Sequence, residues 1–221
     1  QPDEVLLRLG VRDHNRTKVE AFGVQLPALI LSGPSGMAVT AGRPKPRRVV
    51  AYWPALMKRS SVPARSIALL PDGTEKVRVV TFDDAAPDPV DVPAPPQRPR
   101  VTAWSTRTRR CQLRTLAYAR SGDKGDTCNV GVLARSPEIY DWLRETLTED
   151  IVKRFFKGIV KGRVVRHELD NLLGLNFLLE QALGGGGTVS LMLDPQGKTL
   201  SHALLEMVVD APEAIIPEPE C

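Results

Sequence analysis

A proline-dense stretch divides this chain and limits what can fold on either side of it. Residues 83–100 read DDAAPDPVDVPAPPQRPR and contain six prolines without a periodic apolar pattern. Proline fixes φ and removes a backbone donor, so such a stretch forms neither a helix nor an inner strand. We therefore expect a linker over residues 83–112, folded parts at 1–82 and 113–211, and a frayed tail at 212–221.

The charge pattern does not indicate a nucleic-acid-binding protein. The chain has 30 basic and 26 acidic residues, and five arginines surround Trp104 at the end of the predicted linker. Arginines around an aromatic ring suit phosphates and bases, but no nucleic-acid-binding motif accompanies them. A solvated linker explains these arginines, which are Arg98, Arg100, Arg107, Arg109 and Arg110.

The cysteines and the apolar runs predict a cytoplasmic protein. Cys111, Cys128 and Cys221 form no CxxC pair, and their odd number fits a reducing compartment. No run approaches the roughly 20 apolar residues of a membrane span, so no membrane partner is expected. The chain starts at Gln1 without a methionine, and we interpret it as a piece of a longer protein.

Residues 1–82 look like a strand-rich remnant of an α/β domain. A helix is expected over residues 15–22 with Asn15 as its N-cap, and Gly/Pro-rich turns are expected near residues 32–37 and 71–73. We expect this part to need a partner, either the rest of its own domain or another subunit, and hence a homo-oligomer. The predicted strands are residues 5–11, 27–33, 48–53, 66–70 and 76–82.

Residues 113–211 predict an α+β domain with a mainly antiparallel sheet and helices on one face. Ser136 and Pro137 start a helical stripe that runs from Ile139 to Ile159 and breaks near Thr148. A turn is expected at residues 194–197, and a short amphipathic helix or strand follows at 200–207. The other expected elements are strands at 113–119, 129–135, 163–169 and 189–193 and a helix at 172–183.

The loop SGDKGD, residues 121–126, is the strongest local candidate for a site. Its carboxylates, with the amide just beyond, suit a hard divalent cation, whereas Lys124 and the glycine N–H groups suit a carboxylate or a phosphate. A tight hairpin whose aspartates cap their own backbone explains the loop without a ligand. The candidate binding residues are Ser121, Gly122, Asp123, Lys124, Gly125, Asp126 and Asn129.

A second glycine-rich run follows the predicted helix at 172–183. Gly184, Gly185, Gly186 and Gly187 stand between a helix and a strand, the reverse of the order in which a helix N-terminus meets a phosphate. They fit a helix C-cap or a loop that allows a ligand or a neighbouring subunit to approach the backbone.

Three further side chains have possible chemical roles. His167 shares a strand face with Val165 and Leu169, which favours a core or interface histidine over a base. Cys128 lies near Lys124 and Arg120, either of which would lower its pKa. Asn176 suits either ligand orientation or helix capping.

Three segments in one order resemble the acyclic terpene utilisation AtuA family. They are LSGPSGMAVTAGRPKPRRVVAYWP, YARSGDKGDTCNVGVLAR and NLLGLNFLLEQALGGGGTVSLMLDPQGKTLSHALLEM. The resemblance implies that residues 113–211 form the family's ferredoxin-fold-like domain and that residues 1–82 are the end of its larger N-terminal domain. It also implies a role near the breakdown of branched terpenoid acids such as citronellate and geranylate, which proceeds through CoA thioesters.

Three functions follow, in order of preference. The first is a ligand-binding or assembly domain in which the SGDKGD and glycine loops meet at one end of the sheet and hold a carboxylate or a CoA phosphate. The second is a hydratase or lyase on an acyl-CoA, with Asp123, Asp126 or His167 as acid or base. The third is a purely structural oligomerisation module. No cofactor is predicted; a CoA thioester is the expected ligand, and a divalent cation is the alternative.

Overall fold

The computed structural model describes residues 3–51, 54–80, 99–101 and 103–218. The chain forms two units, one made of residues 1–51 with 98–221 and the other of residues 52–97. Most of the predicted linker, residues 83–98, lies outside the described residues.

The N-terminal part contains one long helix, α1 (Arg16–Ser32), and no strand in residues 3–51. Its N-cap is confirmed, because the Asn15 side chain accepts the N–H groups of Thr17 and Lys18. The helix continues through Pro27, so the strand predicted at 27–33 is wrong. The strand predictions at 5–11 and 48–51 are also wrong, since no neighbouring strand there supplies hydrogen bonds. Residues 52 and 53 lie outside the described residues.

The second unit contains the predicted hairpin. Strands β1 (Ala64–Leu69) and β2 (Glu75–Val80) pair antiparallel around the turn at residues 71–73. The Asp72 carboxylate accepts the Thr74 N–H at 3.0 Å, and this contact fixes the turn. Both strands are exposed on both faces apart from the half-buried Ala64. Residues 81 and 82 of the predicted second strand lie outside the described residues.

The C-terminal domain begins earlier than its apolar pattern indicates. Strand β3 (Thr108–Gln112) lies inside the range predicted as linker. A single helical turn, α2 (Leu113–Leu116), replaces the start of the strand predicted at 113–119. Leu113 and Leu116 are fully buried, and their spacing of three residues places both on one side of that turn.

A hairpin follows in which most of the SGDKGD segment is strand. Strand β4 (Ala117–Lys124) pairs with β5 (Thr127–Ala134), and only Gly125 and Asp126 form the turn. The predicted loop over 121–126 is therefore too long. Gly125 has φ of +67°, the left-handed conformation that a tight turn requires at this position.

Two helices then cover the sheet as the sequence predicts. Helix α3 (Pro137–Thr146) has Ser136 as its N-cap, and α4 (Glu149–Phe155) has Thr148. The break changes the phase of the apolar stripe, so Phe156 is buried while Phe155 is 38% exposed.

Two antiparallel strands complete the main sheet, and the second corrects the sequence analysis. Strand β6 (Val164–Leu169) is confirmed, but residues 172–183 contain strand β7 (Gly174–Leu179) and not a helix. Leu173 has φ of +53°, which a continuous helix does not allow. The alternating residues Leu175, Phe177 and Leu179 are all buried, which is the period of a strand.

The last part of the domain returns to β3. Residues 189–193 are not a strand, whereas the turn at 194–197 is confirmed by the hydrogen bond from Gly197 N–H to the Asp194 carbonyl at 3.3 Å. Helix α5 (Leu200–Leu205) precedes strand β8 (Val208–Pro212), which pairs antiparallel with β3. The tail predicted at 212–221 therefore starts too early, because Pro212 is the last residue of β8. Residues 219–221 lie outside the described residues.

The main sheet has the strand order β4-β5-β7-β6 and is antiparallel throughout. Its core face carries buried aliphatic and aromatic side chains that pack with those of the helices. The opposite face of the same strands remains open. This arrangement confirms the α+β prediction and leaves two places for a ligand: the end of the sheet at the β4–β5 turn, and the open face.

Candidate functional site

The β4–β5 turn and the glycine-rich loop meet at one end of the sheet. One carboxylate oxygen of Asp126 accepts the N–H groups of Gly185 at 2.7 Å and Leu183 at 3.2 Å. The main-chain carbonyl of Asp126 accepts the Ala182 N–H at 3.0 Å. The loops predicted to meet are therefore joined, and Asp126 already occupies N–H groups that an external anion would otherwise bind.

Gly186 brings the two backbones into direct contact. It is buried with φ of +94°, and a Cβ added there would lie 3.0 Å from the carbonyl oxygen of Gly125. Only glycine combines this conformation with this approach. The junction thus explains Gly186, whereas a Cβ added at Gly187 would have no neighbour closer than 3.9 Å.

Cationic side chains from distant parts of the sequence surround this junction. Arg12 donates to the Val189 carbonyl, and its Nη1 would lie 3.5 Å from a Cβ on Gly185. Arg8 donates to the Met192 carbonyl at 3.3 Å. The exposed Lys124 donates to the carbonyl of Asp123 at 3.1 Å. Arg8 and Arg12 carried no local signal in the sequence, because only the tertiary fold brings them here.

Ser121 does not belong to this junction. It is 6% exposed, donates to the Gly197 carbonyl at 2.6 Å and accepts the Ser201 N–H at 2.9 Å. It therefore connects β4 to the turn before α5. Gly122 faces the opposite way, where the Lys198 Nζ would be 3.0 Å from an added Cβ.

Cys128 is a buried thiol on the core face. Burial raises its pKa to about 11, despite a main-chain hydrogen bond and the neighbouring Lys198, which both lower it. The expected lowering by Lys124 or Arg120 is wrong, since the thiol points into the core and those side chains do not. The thiolate that a nucleophile needs is disfavoured here.

Asn129 and His167 lie on the open face. Asn129 donates through Nδ2 to the Oδ1 of Asn176 at 3.3 Å, and both side chains are half-buried. His167 pairs in register with Asn176 and is exposed, so a core position is wrong, while the alternative of an interface histidine stays a prediction. Asn176 caps no helix, because it lies within β7.

A cleft of about 320 Å³ lies beside α3 and β6, and each charged side chain that lines it has a hydrogen-bond partner. Arg144 donates to the Glu168 carboxylate at 2.7 Å, and Arg166 donates to its other oxygen at 3.0 Å. The Tyr140 hydroxyl donates to Asp170 at 2.6 Å; burial, with that contact, raises the pKa of Tyr140. This network holds the segment at residues 100–101, whose Val101 N–H donates to the buried Asp141.

Within the part of the chain that the structure describes, no group of three or more His, Cys, Asp or Glu side chains is placed to hold a metal ion. Its helices are also too short or too polar to cross a membrane. That the candidate residues contact a ligand stays a prediction.

The antiparallel four-stranded sheet with helices packed on one face makes this an α+β domain. A family model described as the AtuA ferredoxin-like domain matches residues 111–210, and one described as acyclic terpene utilisation family protein AtuA matches residues 1–68. Together the matches cover about three quarters of the chain, which belongs to the AtuA family. Comparisons with curated proteins and with solved structures give no significant match.

Proposed function

We propose that the ferredoxin-like domain binds a carboxylate or an acyl-CoA as part of a terpenoid-degrading AtuA protein. The observation that supports this is the junction of the β4–β5 turn with the glycine-rich loop. Both loops lie in the region matched by the family's domain model. Their contact makes one surface from two separate parts of the sequence.

The side chains at this junction indicate which ligand group it holds. The Asp126 carboxylate already accepts hydrogen bonds from the N–H groups of Gly185 and Leu183. An anionic ligand therefore contacts the cationic side chains around these groups. Lys124 and Arg12 are both exposed, and they come to the junction from distant parts of the sequence. A carboxylate or a phosphate satisfies such cations.

The test is a thermal-shift series on the 221-residue chain with free CoA, geranyl-CoA, citronellate and divalent cations. A ligand at 100 times its dissociation constant adds about 2.7 kcal/mol to the free energy of unfolding. We expect CoA species or citronellate to raise the melting temperature and Lys124→Ala to remove that rise.

Lys153→Ala is the matched control, because Lys153 is an exposed lysine on α4, a helix that packs against the edge strand β6. It should retain the full shift. The proposal fails if no acid or CoA species shifts the wild type, or if Lys124→Ala responds as strongly as Lys153→Ala.

Assembly is a second candidate function, favoured by the exposed apolar side chains of the N-terminal part. Leu6, Leu7 and Leu31 are 74%, 75% and 94% exposed in this chain. Where such side chains form a contiguous patch, they mark an interaction site, and their number in this part of the chain supports assembly. Sedimentation velocity between about 1 and 100 μM tests it, and a monomer over the whole range would contradict self-assembly.

A further inference from the structure

The open face of the main sheet has a polar centre between apolar side chains. The strand register places Arg120, Gly131, Asn176 and His167 in one row across the four strands. The next row, nearer the C-terminal ends of β4 and β7, includes Asn129 and Leu178. The row on the other side includes Tyr118, Leu133 and Leu169. Tyr118 and Leu133 are 56% and 45% exposed.

Because Gly131 has no side chain, the row from Arg120 to Asn176 has a gap at β5, which we call the slot. A Cβ added there would have the Arg120 carbonyl oxygen at 3.8 Å and the Asn176 Oδ1 at 3.9 Å as its nearest neighbours. Arg120 borders the slot on one side and Asn176 on the other, while Asn129 and Leu133 precede and follow Gly131 on the same face of β5. Glycine inside a strand weakens a sheet and commonly marks a close approach by a ligand.

The charge of the face determines what can occupy it. The charged side chains that project from these four strands on the open side are Arg120 and Lys124, and none of the described positions there is acidic. Lys198 reaches the same side at Gly122, and Arg135 stacks on Tyr118 with its guanidinium carbon 3.9 Å from the ring centre. Two copies placed face to face would bring like charges together, so the complementary occupant is an anion.

The asparagine pair adds a second requirement. The contact uses the Nδ2 of Asn129 and the Oδ1 of Asn176, which leaves the Oδ1 of Asn129 as an acceptor and the Nδ2 of Asn176 as a donor without a partner among the described residues. This holds for either orientation of the two amides. A donor and an acceptor side by side match the C=O and N–H of an amide.

We propose that the open face binds a small organic anion that contains an amide and an apolar chain. Arg120 holds the anionic group, the asparagine pair holds the amide above Gly131, and the chain lies on Leu133 and Tyr118. This site is centred on Gly131, shares only the exposed Lys124 with the surroundings of the loop junction, and does not depend on the function proposed there.

Two probes of equal chain length test this proposal: N-octanoylglycine, which has the amide, and undecanoate, which lacks it. Titrations of isotope-labelled protein followed by NMR give both the dissociation constants and the location. We expect N-octanoylglycine to bind about five-fold more tightly than undecanoate, which is the effect of one net hydrogen bond. The largest shift changes should fall on Gly131, Asn176 and His167.

Gly131→Val is the decisive variant, because valine fills the slot and suits a strand. We expect an unchanged or higher melting temperature and a loss of binding of at least ten-fold for both probes. If it does not fold, Gly131→Ala is used, with binding weakened for both probes. Arg120→Gln should weaken both probes equally, and Arg154→Gln on the exposed side of α4 should change neither.

Results of three kinds would overturn the proposal. One is binding to a folded Gly131→Val or Gly131→Ala protein that equals the wild type. Another is equal affinity for the two probes, or no binding of either at 5 mM. The third is a set of shift changes at Gly125 and Gly186 in place of the sheet face, which would instead support the loop junction.

Discussion

The two faces of the main sheet are built from the same strands but differ in the burial and the polarity of their side chains. In β5, Cys128, Val130 and Val132 are at most 2% exposed, whereas Asn129 and Gly131 between them are half-buried on the other side. In β7, Leu175 and Phe177 face the core while Asn176 faces outward. One face provides the hydrophobic stabilisation, and the other is free to carry polar groups and glycine.

This difference explains how the domain can hold a binding surface without losing stability. The core face fixes the strand register, because a shift by one residue would bury Asn129 and Gly131 and expose Val130. Once the register is fixed, the open face needs no packing of its own. Substitutions on the two faces should therefore have different effects. Those on the core face should reduce stability, and those on the open face should reduce binding.

The largest effect is expected for Phe177→Ala. Phe177 is fully buried between the sheet and the helices, so truncation removes its buried surface and leaves a cavity. We expect a loss of about 3–5 kcal/mol in the free energy of unfolding, measured with urea. Leu178→Ala, one position away on the open face, is the matched comparison and should cost about 1 kcal/mol. Equal losses would contradict the division of roles between the faces.

Ser121→Ala should come next, with a loss of about 1–3 kcal/mol. The hydroxyl is buried, donates to the Gly197 carbonyl and accepts the Ser201 N–H, so its removal takes the acceptor from the Ser201 N–H and leaves the Gly197 carbonyl with the weaker Cys128 thiol contact at 3.6 Å. Ligand shifts in the thermal series should persist in this variant. If they disappear while the protein stays folded, Ser121 acts in binding after all.

The sequence predicted those elements whose signals are local. Ser136 with Pro137 marked the start of α3, and the spacing of Ile139, Leu143 and Leu147 predicted its buried side. The helix predicted at residues 172–183 was wrong because the leucines there recur at two spacings. One spacing is two residues, as in a strand, and the other is three to four residues, as in a helix. Pairing of β7 with β5 and β6 then decided the outcome, and no local pattern reports such pairing.

The candidate site divides in the same way. The β4–β5 turn and the glycine run were visible as motifs, and their contact was predicted as a condition for a shared site. The open face was not visible, because Asn129 and Asn176 are 47 residues apart and meet only through the strand register. Arg12 reaches Val189 across 177 residues, which again only the tertiary fold reveals.

A pH-dependent effect is expected at Cys128 on the core face. Its pKa is raised from 9.0 to about 11, so between these pH values the unfolded thiol ionises while the folded one keeps its proton. The contribution of Cys128 to stability is present below pH 9 and is lost as the pH rises toward 11. Urea unfolding at several pH values should show a steeper decline for the wild type than for Cys128→Ala. Parallel curves would show that the thiol is not shielded as described.

The smallest effect is expected for Leu169→Ser on the open face. Leu169 is 39% exposed and lies at the end of the edge strand β6, so serine loses little packing there. The free energy of unfolding should change by no more than about 0.5 kcal/mol. Val164→Ser, in the same strand but 9% exposed on the core face, is the matched comparison and should cost clearly more. A large loss at Leu169 would mean that the open face contributes to stability, because its side chains would then be covered in the folded protein.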